Sequence, residues 1–392
     1  MLQTRVDSGL DGVVVADTVM SEVDGEAGRL VVRGHALQEL VASRGFEGVA
    51  ALLWEGYAEG GGDASAVASG LAAARVQAFA AVPKLLAATR GLNPVEALRV
   101  GIALLPDHET TPHHYLVCGA MPVFLAALLN AEKGLAPIAP DPTLTTAQDL
   151  LRMIRGQRAG VVFEKALDTY LATIADHGFN ASTFTARVVA STHAGLISSV
   201  LAALCALKGP RHGGAPGPVL DMLDEIGEAS RAEAWFDDAF AKGTTLMGFG
   251  HRIYKVRDPR ADVLKHTVAT LPATAGRLAY ATAVEKGAIA ALRKHKPGRR
   301  LDINVEYYTA LLLEALEVPR SAFTALFAVG RTAGWCAHVF EQEKGGRIIR
   351  PQSNYIGPRP SAAVREKATA DKAAVVHARR ASPAVSARAR CG

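Results

Sequence analysis

Residues 191–207 hold His193 and a few serines and are otherwise apolar on every face. A helix of that kind has to be surrounded by other helices or by a partner chain. Either arrangement demands a large helical core. The rest of the chain agrees. Leu37, Leu40, Val41 and Phe46 recur at helical spacing, as do Leu150, Leu151 and Ile154, and Val305, Tyr308 and Leu312. Alternating runs are few. The best, residues 28–33 after the turn-forming Asp24-Gly25, predicts one small β element near the N-terminus. No repeat of 20–50 residues is visible, which argues against a solenoid. The expected fold class is all-α with a minor N-terminal β element.

A length of 392 residues implies one large or two unequal domains. With 49% hydrophobic and 21% charged residues, global disorder is excluded. Cys118, Cys205, Cys336 and Cys391 lie far apart without metal-finger spacing, so reduced thiols are expected. The net charge of +5 resides in residues 361–392, where seven Lys and Arg face two acids. The remaining body is neutral, which argues against nucleic-acid binding. The tail reads as a basic, frayed terminus. The longest apolar runs, 119–131 and 194–207, fall short of the roughly 20 residues of a membrane span. Arg5 and Asp7 precede a short apolar run with no leader-like pattern, so a cytoplasmic location is expected.

Three segments place functional groups in unusual local settings. In residues 209–218 the paired Gly213-Gly214 sits beside His212, letting a ligand approach the backbone closely. Pro218 is expected to open a helix over 219–226, closed by Gly227. The partial positive charge of that helix start favours a neutral His212 imidazole. Residues 248–260 gather Gly248, Gly250, His251, Arg252, Lys255 and Arg257 before Asp258-Pro259, an N-cap and first-turn signature, with Arg260 directly after it. Such a cluster suits a ligand with several carboxylates or phosphates. In residues 303–308, Asn304 is expected to cap a helix with Glu306 in its first turn, where a carboxylate is held ionised. An ionised, partly desolvated carboxylate can take a proton from carbon. Two lesser features stand beside these. Asp107-His108-Glu109 with His113-His114 lacks helical ligand spacing and reads as a polar loop, so no metal is expected. His177 precedes a glycine turn and a Ser/Thr-assisted helix start at 180–183.

In order along the chain, these segments resemble the citrate synthase family. The 248–260 run matches that family's glycine-aromatic-glycine-histidine signature with its following basic residue and Asp-Pro-Arg. His212-Gly213-Gly214-Ala215 resembles its first catalytic histidine motif, Asn304-Val305-Glu306 its catalytic acid, and His177 with 180–183 its upstream histidine segment. Gly330-Arg331-Thr332 and Arg350-Pro351 resemble its later substrate arginines, and the likeness runs from about Leu10 to about Gly357.

The resemblance implies a large helical domain of 1–211 and 320–360, a small domain of 212–319 and a homodimer. It implies condensation of acetyl-CoA with oxaloacetate and water to citrate and CoA, a reaction of the tricarboxylic acid cycle, without metal or cofactor. His212, His251 and Glu306 would be catalytic. His177, Arg260, Arg331 and Arg350 would hold oxaloacetate, with Arg350 crossing from the partner subunit. Lys255 and the Gly248–Gly250 backbone would meet CoA. 2-Methylcitrate synthase, acting on propionyl-CoA, is the neighbouring alternative, and a non-catalytic carboxylate- or CoA-binding homologue the more distant one. Two positions depart from the family pattern: Glu306 replaces the usual aspartate, and Pro216-Gly217 follows where many members carry Asn-Glu. Arg211, a cation directly before His212, is also unexpected.

Overall fold

The computed structural model describes residues 9–10, 12–107, 111–210, 212 and 216–358. Readings that fall on His108, Glu109, Arg211, Gly213, Gly214, Ala215 and residues 361–392 lie outside them. Met1–Ile349 form one compact unit and Arg350–Gly392 a second.

The β element is an antiparallel meander of β1 (Ser21–Asp24), β2 (Arg29–Val32) and β3 (His35–Ala36), with Ser21 opposite Val32 and Asp24 opposite Arg29. β2 is the strand expected at 28–33. β1 and β3, four and two residues long, carry too little alternation to be read from sequence. Asp24 shapes the connecting turn by accepting hydrogen bonds from the Glu26 and Ala27 N–H groups at 3.2 and 2.9 Å.

Helices make up most of the rest. The first group is α1 (Leu37–Ser43), α2 (Phe46–Trp54), α3 (Ala64–Phe79), α4 (Val82–Ala88), α5 (Pro94–Ala103) and α6 (His113–Glu132). It continues with α7 (Thr146–Arg155), α8 (Val161–Ile174), α9 (Ala181–Ala190), α10 (Leu196–Leu207) and α11 (Pro216–Ile226). The last are α12 (Ala232–Ala241), α13 (Pro259–Thr270), α14 (Ala275–His295), α15 (Val305–Ala315) and α16 (Phe323–Gly345). Short polar side chains fix many of the starts: Asp63 for α3, Asn93 for α5, Thr145 for α7, Asn180 for α9, Asp258 for α13 and Asn304 for α15.

The core forms where α6 packs against α3, α5, α7 and α16, and where α16 also meets α2, α8, α9 and α10. Every residue of α6 from His114 to Asn130 is buried. This corrects the reading of 119–131 as the longest apolar segment there. α6 is 20 residues long and apolar enough to cross a membrane, and most of it is enclosed by protein. A second correction concerns 191–207. Residues 191–193 form a turn, with His193 at φ +58°, Gly195 follows at φ +89°, and the helix begins only at Leu196. One side of α10 is buried, whereas Ser198, Leu201 and Ala202 are half-buried and Cys205 is exposed.

Candidate active site

The 248–258 loop is stitched onto the start of α15 by backbone groups. Gly250 N–H donates to Asp302 O at 2.7 Å, Asn304 N–H to Gly248 O at 3.0 Å and Asp258 N–H to Ile303 O at 3.2 Å. The Asn304 side chain adds a bond to Gly250 O at 2.9 Å. Gly248 and Gly250 both stand at φ +83°, the left-handed region that favours glycine. Asp258, wholly buried, then serves two helices. It accepts from the Arg260 N–H of α13 at 3.0 Å and the Val305 N–H of α15 at 3.1 Å, and its carboxylate forks with the Arg260 guanidinium. These bonds draw His251, Arg260 and Glu306 into one neighbourhood.

His251 Nδ1 accepts two backbone N–H groups, from Ile253 and Tyr254, both at 3.1 Å. Its proton therefore sits on Nε2, ready to be donated. Burial, with Arg260 next, presses its pKa down to about 4 despite the opposing charge of Asp258, so near neutrality the ring is uncharged.

Glu306 corrects one expectation. Asn304 does cap the helix, accepting from the Glu306 N–H at 3.1 Å. The helix start does not keep the carboxylate at an ordinary pKa, however. Burial raises it to about 7, with Arg260 and Arg331 pulling down and Asp258 pushing up. Desolvation wins. Glu306 Oε2 is buried with no hydrogen-bond partner among the described residues.

His212 lies against the start of α9. The Ser182 backbone N–H, which can only donate, points at His212 Nε2 from 3.2 Å, and the Ser182 hydroxyl lies 2.8 Å from the same nitrogen. Nε2 is thus an acceptor and the ring proton belongs to Nδ1. Trp335 Nε1 in turn steadies the Ser182 hydroxyl at 3.2 Å. The pKa of His212 falls to about 4, as expected, but for a different reason: burial first, then the cation of Arg331. The adjacent helix also starts earlier than Pro218, at Pro216. Gly227 closes it at φ +70°, as read from the sequence.

The common centre is Arg331, on α16. Its charge acts on His212, His177, Glu306 and Asp176. Gly330 and Gly334, one turn apart, let α16 approach the end of α8. A Cβ on Gly330 would lie 2.8 Å from Ile174 Cγ1, and one on Gly334 would lie 2.9 Å from Asp176 Oδ1. Arg331 Nε donates to Ile174 O at 2.6 Å, while its Nη2 is buried without a partner among the described residues. Burial lowers its pKa to about 10, against the pull of Asp176. His177, also buried, contacts the Tyr254 hydroxyl through Nε2 at 3.2 Å and stands edge-on to His251 with ring centroids 5.4 Å apart. Burial, followed by the charge of Arg260, holds His177 well below the usual histidine range.

Two neutral imidazoles with fixed tautomers, a carboxylate poised near pH 7 and a cation at their centre can enolise a carbonyl compound and polarise a second one. The family model described as citrate synthase, C-terminal domain, matches residues 9–352. The chain belongs to the citrate synthase family. Citrate synthase of Haloferax volcanii is 34% identical over 365 residues, covering 89% of this chain and 95% of the relative. Citrate synthase of Thermotoga maritima superposes with a TM-score of 0.82 at 32% identity, covering 91% of this chain and 97% of that one. That of Thermoplasma acidophilum, solved as a ternary complex with carboxymethyl coenzyme A and oxaloacetate, gives 0.80 at 27%, covering 92% and 99%.

The other residues that the citrate synthase resemblance singled out lie as follows. Lys255 is exposed on the 248–258 loop, and its charge reaches His251. Of the loop's other cations, Arg257 is taken up by Glu285 and Asp262, and Arg260 by Asp258. Arg350 opens the second unit and is exposed. Residues that sequence reading missed include Tyr170, whose buried hydroxyl has no partner among the described residues and feels the charges of Glu306 and Arg331. Ser182, Asp176 and His338 were also missed, because their roles depend on neighbours distant in the chain. His338 Nε2 donates to Asp176 Oδ1 at 3.1 Å across 162 positions.

Proposed function

We propose that this chain condenses acetyl-CoA with oxaloacetate and water to give citrate and CoA. The reading rests most heavily on the opposed pKa displacements: Glu306 up to about 7, His212 and His251 down to about 4, around one buried arginine. Ionised Glu306 takes a proton from the acetyl methyl group while His212 Nδ1–H hydrogen-bonds the thioester oxygen, giving an enol or enolate. That carbon attacks the oxaloacetate ketone, which His251 Nε2–H polarises and whose alkoxide it protonates. Water then cleaves the citryl thioester and releases CoA. His177, Arg260, Arg331 and Arg350 hold the oxaloacetate carboxylates. Lys255 meets a CoA phosphate, and the Gly248–Gly250 backbone faces the adenine. The enzyme is an acyltransferase that needs no cofactor beyond its CoA substrate.

Closure of a smaller part, 212–319, on 1–211 and 320–360 would shield the thioester from water before condensation. The activity suits the cytoplasm and the tricarboxylic acid cycle. Initial rates on acetyl-CoA and propionyl-CoA with oxaloacetate test the acyl preference. Faster turnover of acetyl-CoA supports the assignment, and a strong propionyl preference transfers it to 2-methylcitrate synthesis.

The carboxylate sets a pH dependence. Because ionised Glu306 is the active form, kcat/KM for acetyl-CoA is expected to rise about tenfold per pH unit below pH 6 and level off near pH 8. The imidazoles, uncharged throughout that range, add no second limb. A profile flat from pH 5.5 to 8 would contradict this role.

A homodimer is part of the reading. Ser198, Leu201, Ala202 and Cys205 form one stripe at helical spacing on the open side of α10. Leu201→Asp is expected to shift the protein to single-chain mass in sedimentation and to lower activity with it, because Arg350 would act across the dimer. An unchanged mass would place the interface elsewhere.

A further inference from the structure

We infer that the β1–β2 hairpin is a positioning element for His177 and His251, with Ser21 and Gly25 as its two points of hold. This builds on the site reading above, in which both histidines face oxaloacetate.

At one end, the Ser21 hydroxyl donates to Asp176 Oδ2, beside the Gly178 N–H at 3.2 Å on the same oxygen. With His338 on Oδ1, three donors fix the carboxylate of the residue that immediately precedes His177. Val23 backs the same loop, since a Cβ on Gly178 would lie 3.3 Å from its Cγ2.

At the other end, Lys255 N–H donates to Gly25 O at 2.9 Å. A Cβ on Gly25 would stand 2.7 Å from the Ile253 carbonyl carbon and closer still to its oxygen. Gly28, at φ +63°, fits as tightly: a Cβ there would lie 2.8 Å from Val256 Cγ2 and 3.1 Å from Arg257 O. The hairpin therefore rests on residues 253–257, whose Ile253 and Tyr254 N–H groups fix the His251 tautomer.

The root of the hairpin is firm. Met20, Leu30 and Val32 are buried, and the Val19 N–H is held by Glu341 on α16 at 2.8 Å. Four residues of extended chain, about 13 Å, thus join the two histidine loops, which lie more than 70 positions apart in sequence. The expected effect of breaking either hold is weaker oxaloacetate binding, with less change toward acetyl-CoA.

The test measures oxaloacetate affinity by calorimetry, and KM and kcat by thiol release, in Ser21→Ala, Ser21→Thr, Gly25→Ala and Arg29→Ala. Among the described residues Arg29 pairs with Glu22 and Asp24 of the hairpin itself, is exposed, and serves as the control. Ser21→Ala is expected to weaken oxaloacetate binding about tenfold, the scale of one hydrogen bond to a charged group. Ser21→Thr, which keeps the hydroxyl, should restore it, and Arg29→Ala should leave it unchanged. Gly25→Ala should weaken it at least as much as Ser21→Ala. If Gly25→Ala does not fold, the Ser21 pair decides. The inference is overturned if folded Ser21→Ala binds oxaloacetate as wild type does, if both substrates' KM values rise equally, or if threonine gives no rescue. Wild-type protein that releases no thiol overturns the proposed reaction instead, a result distinct from an active wild type with indifferent variants.

Discussion

Glu306→Gln is expected to lower kcat about 10³-fold while leaving KM for oxaloacetate within about threefold. The amide keeps the size and first-turn position of the side chain but cannot accept a proton from carbon. In the proposed reaction oxaloacetate is held by cations and imidazoles, which the substitution leaves in place. The same variant has a second signature. Glu306 has its pKa raised from 4.5 to about 7, so the folded state resists its ionisation. That resistance costs nothing below pH 4.5, grows as pH rises and is complete above pH 7. Glu306→Gln should therefore gain stability relative to wild type between pH 5 and pH 8, by about 3 kcal/mol at most. Denaturant unfolding of both proteins at the two pH values measures this. A variant that loses activity without gaining stability at pH 8 would show that Glu306 is not buried as described. Glu306→Asp retracts the carboxylate by about a bond length and is expected to cost activity, since ångström-scale displacement of a catalytic group can lower rate about 10²-fold.

His212→Ala carries the second large effect, a fall in kcat of about 10²- to 10³-fold, the scale of losing one preorganised donor to a developing oxyanion. The donor is Nδ1–H, because Ser182 N–H occupies Nε2 at 3.2 Å. Oxaloacetate affinity should change little, because in the proposed reaction His212 serves the thioester. A loss confined to oxaloacetate KM, with kcat preserved, would assign His212 to the keto acid instead.

How much of this was legible in the sequence depends on range. Asp258-Pro259, Asn304 and Asn180 were readable because a cap and its first turn lie within three residues. The order of the histidine, arginine and glutamate motifs was readable through its likeness to the citrate synthase family. Electrostatic causes were not. Glu306 looks ionised from its place in a first turn, and His212 looks neutral from a nearby helix start. Burial dominates both, and burial is a tertiary property. Tyr170, Asp176 and His338 sit inside or beside ordinary helical patterns and become site residues only when α16 folds over the end of α8. Cys118 and Cys336, 218 positions apart, likewise give no sequence sign that their sulfurs lie 3.9 Å from each other in the core. In residues 191–207 composition hid the break at 191–195, because alanine and glycine read as apolar while Gly195 at φ +89° ends the regular path.

Release of free thiol by the purified, folded chain is the most direct test of the condensation. With acetyl-CoA and oxaloacetate together, CoA should appear in one-to-one ratio with citrate, and either substrate alone should give none. Absence of thiol with both substrates present, or equal release without oxaloacetate, would contradict the assignment.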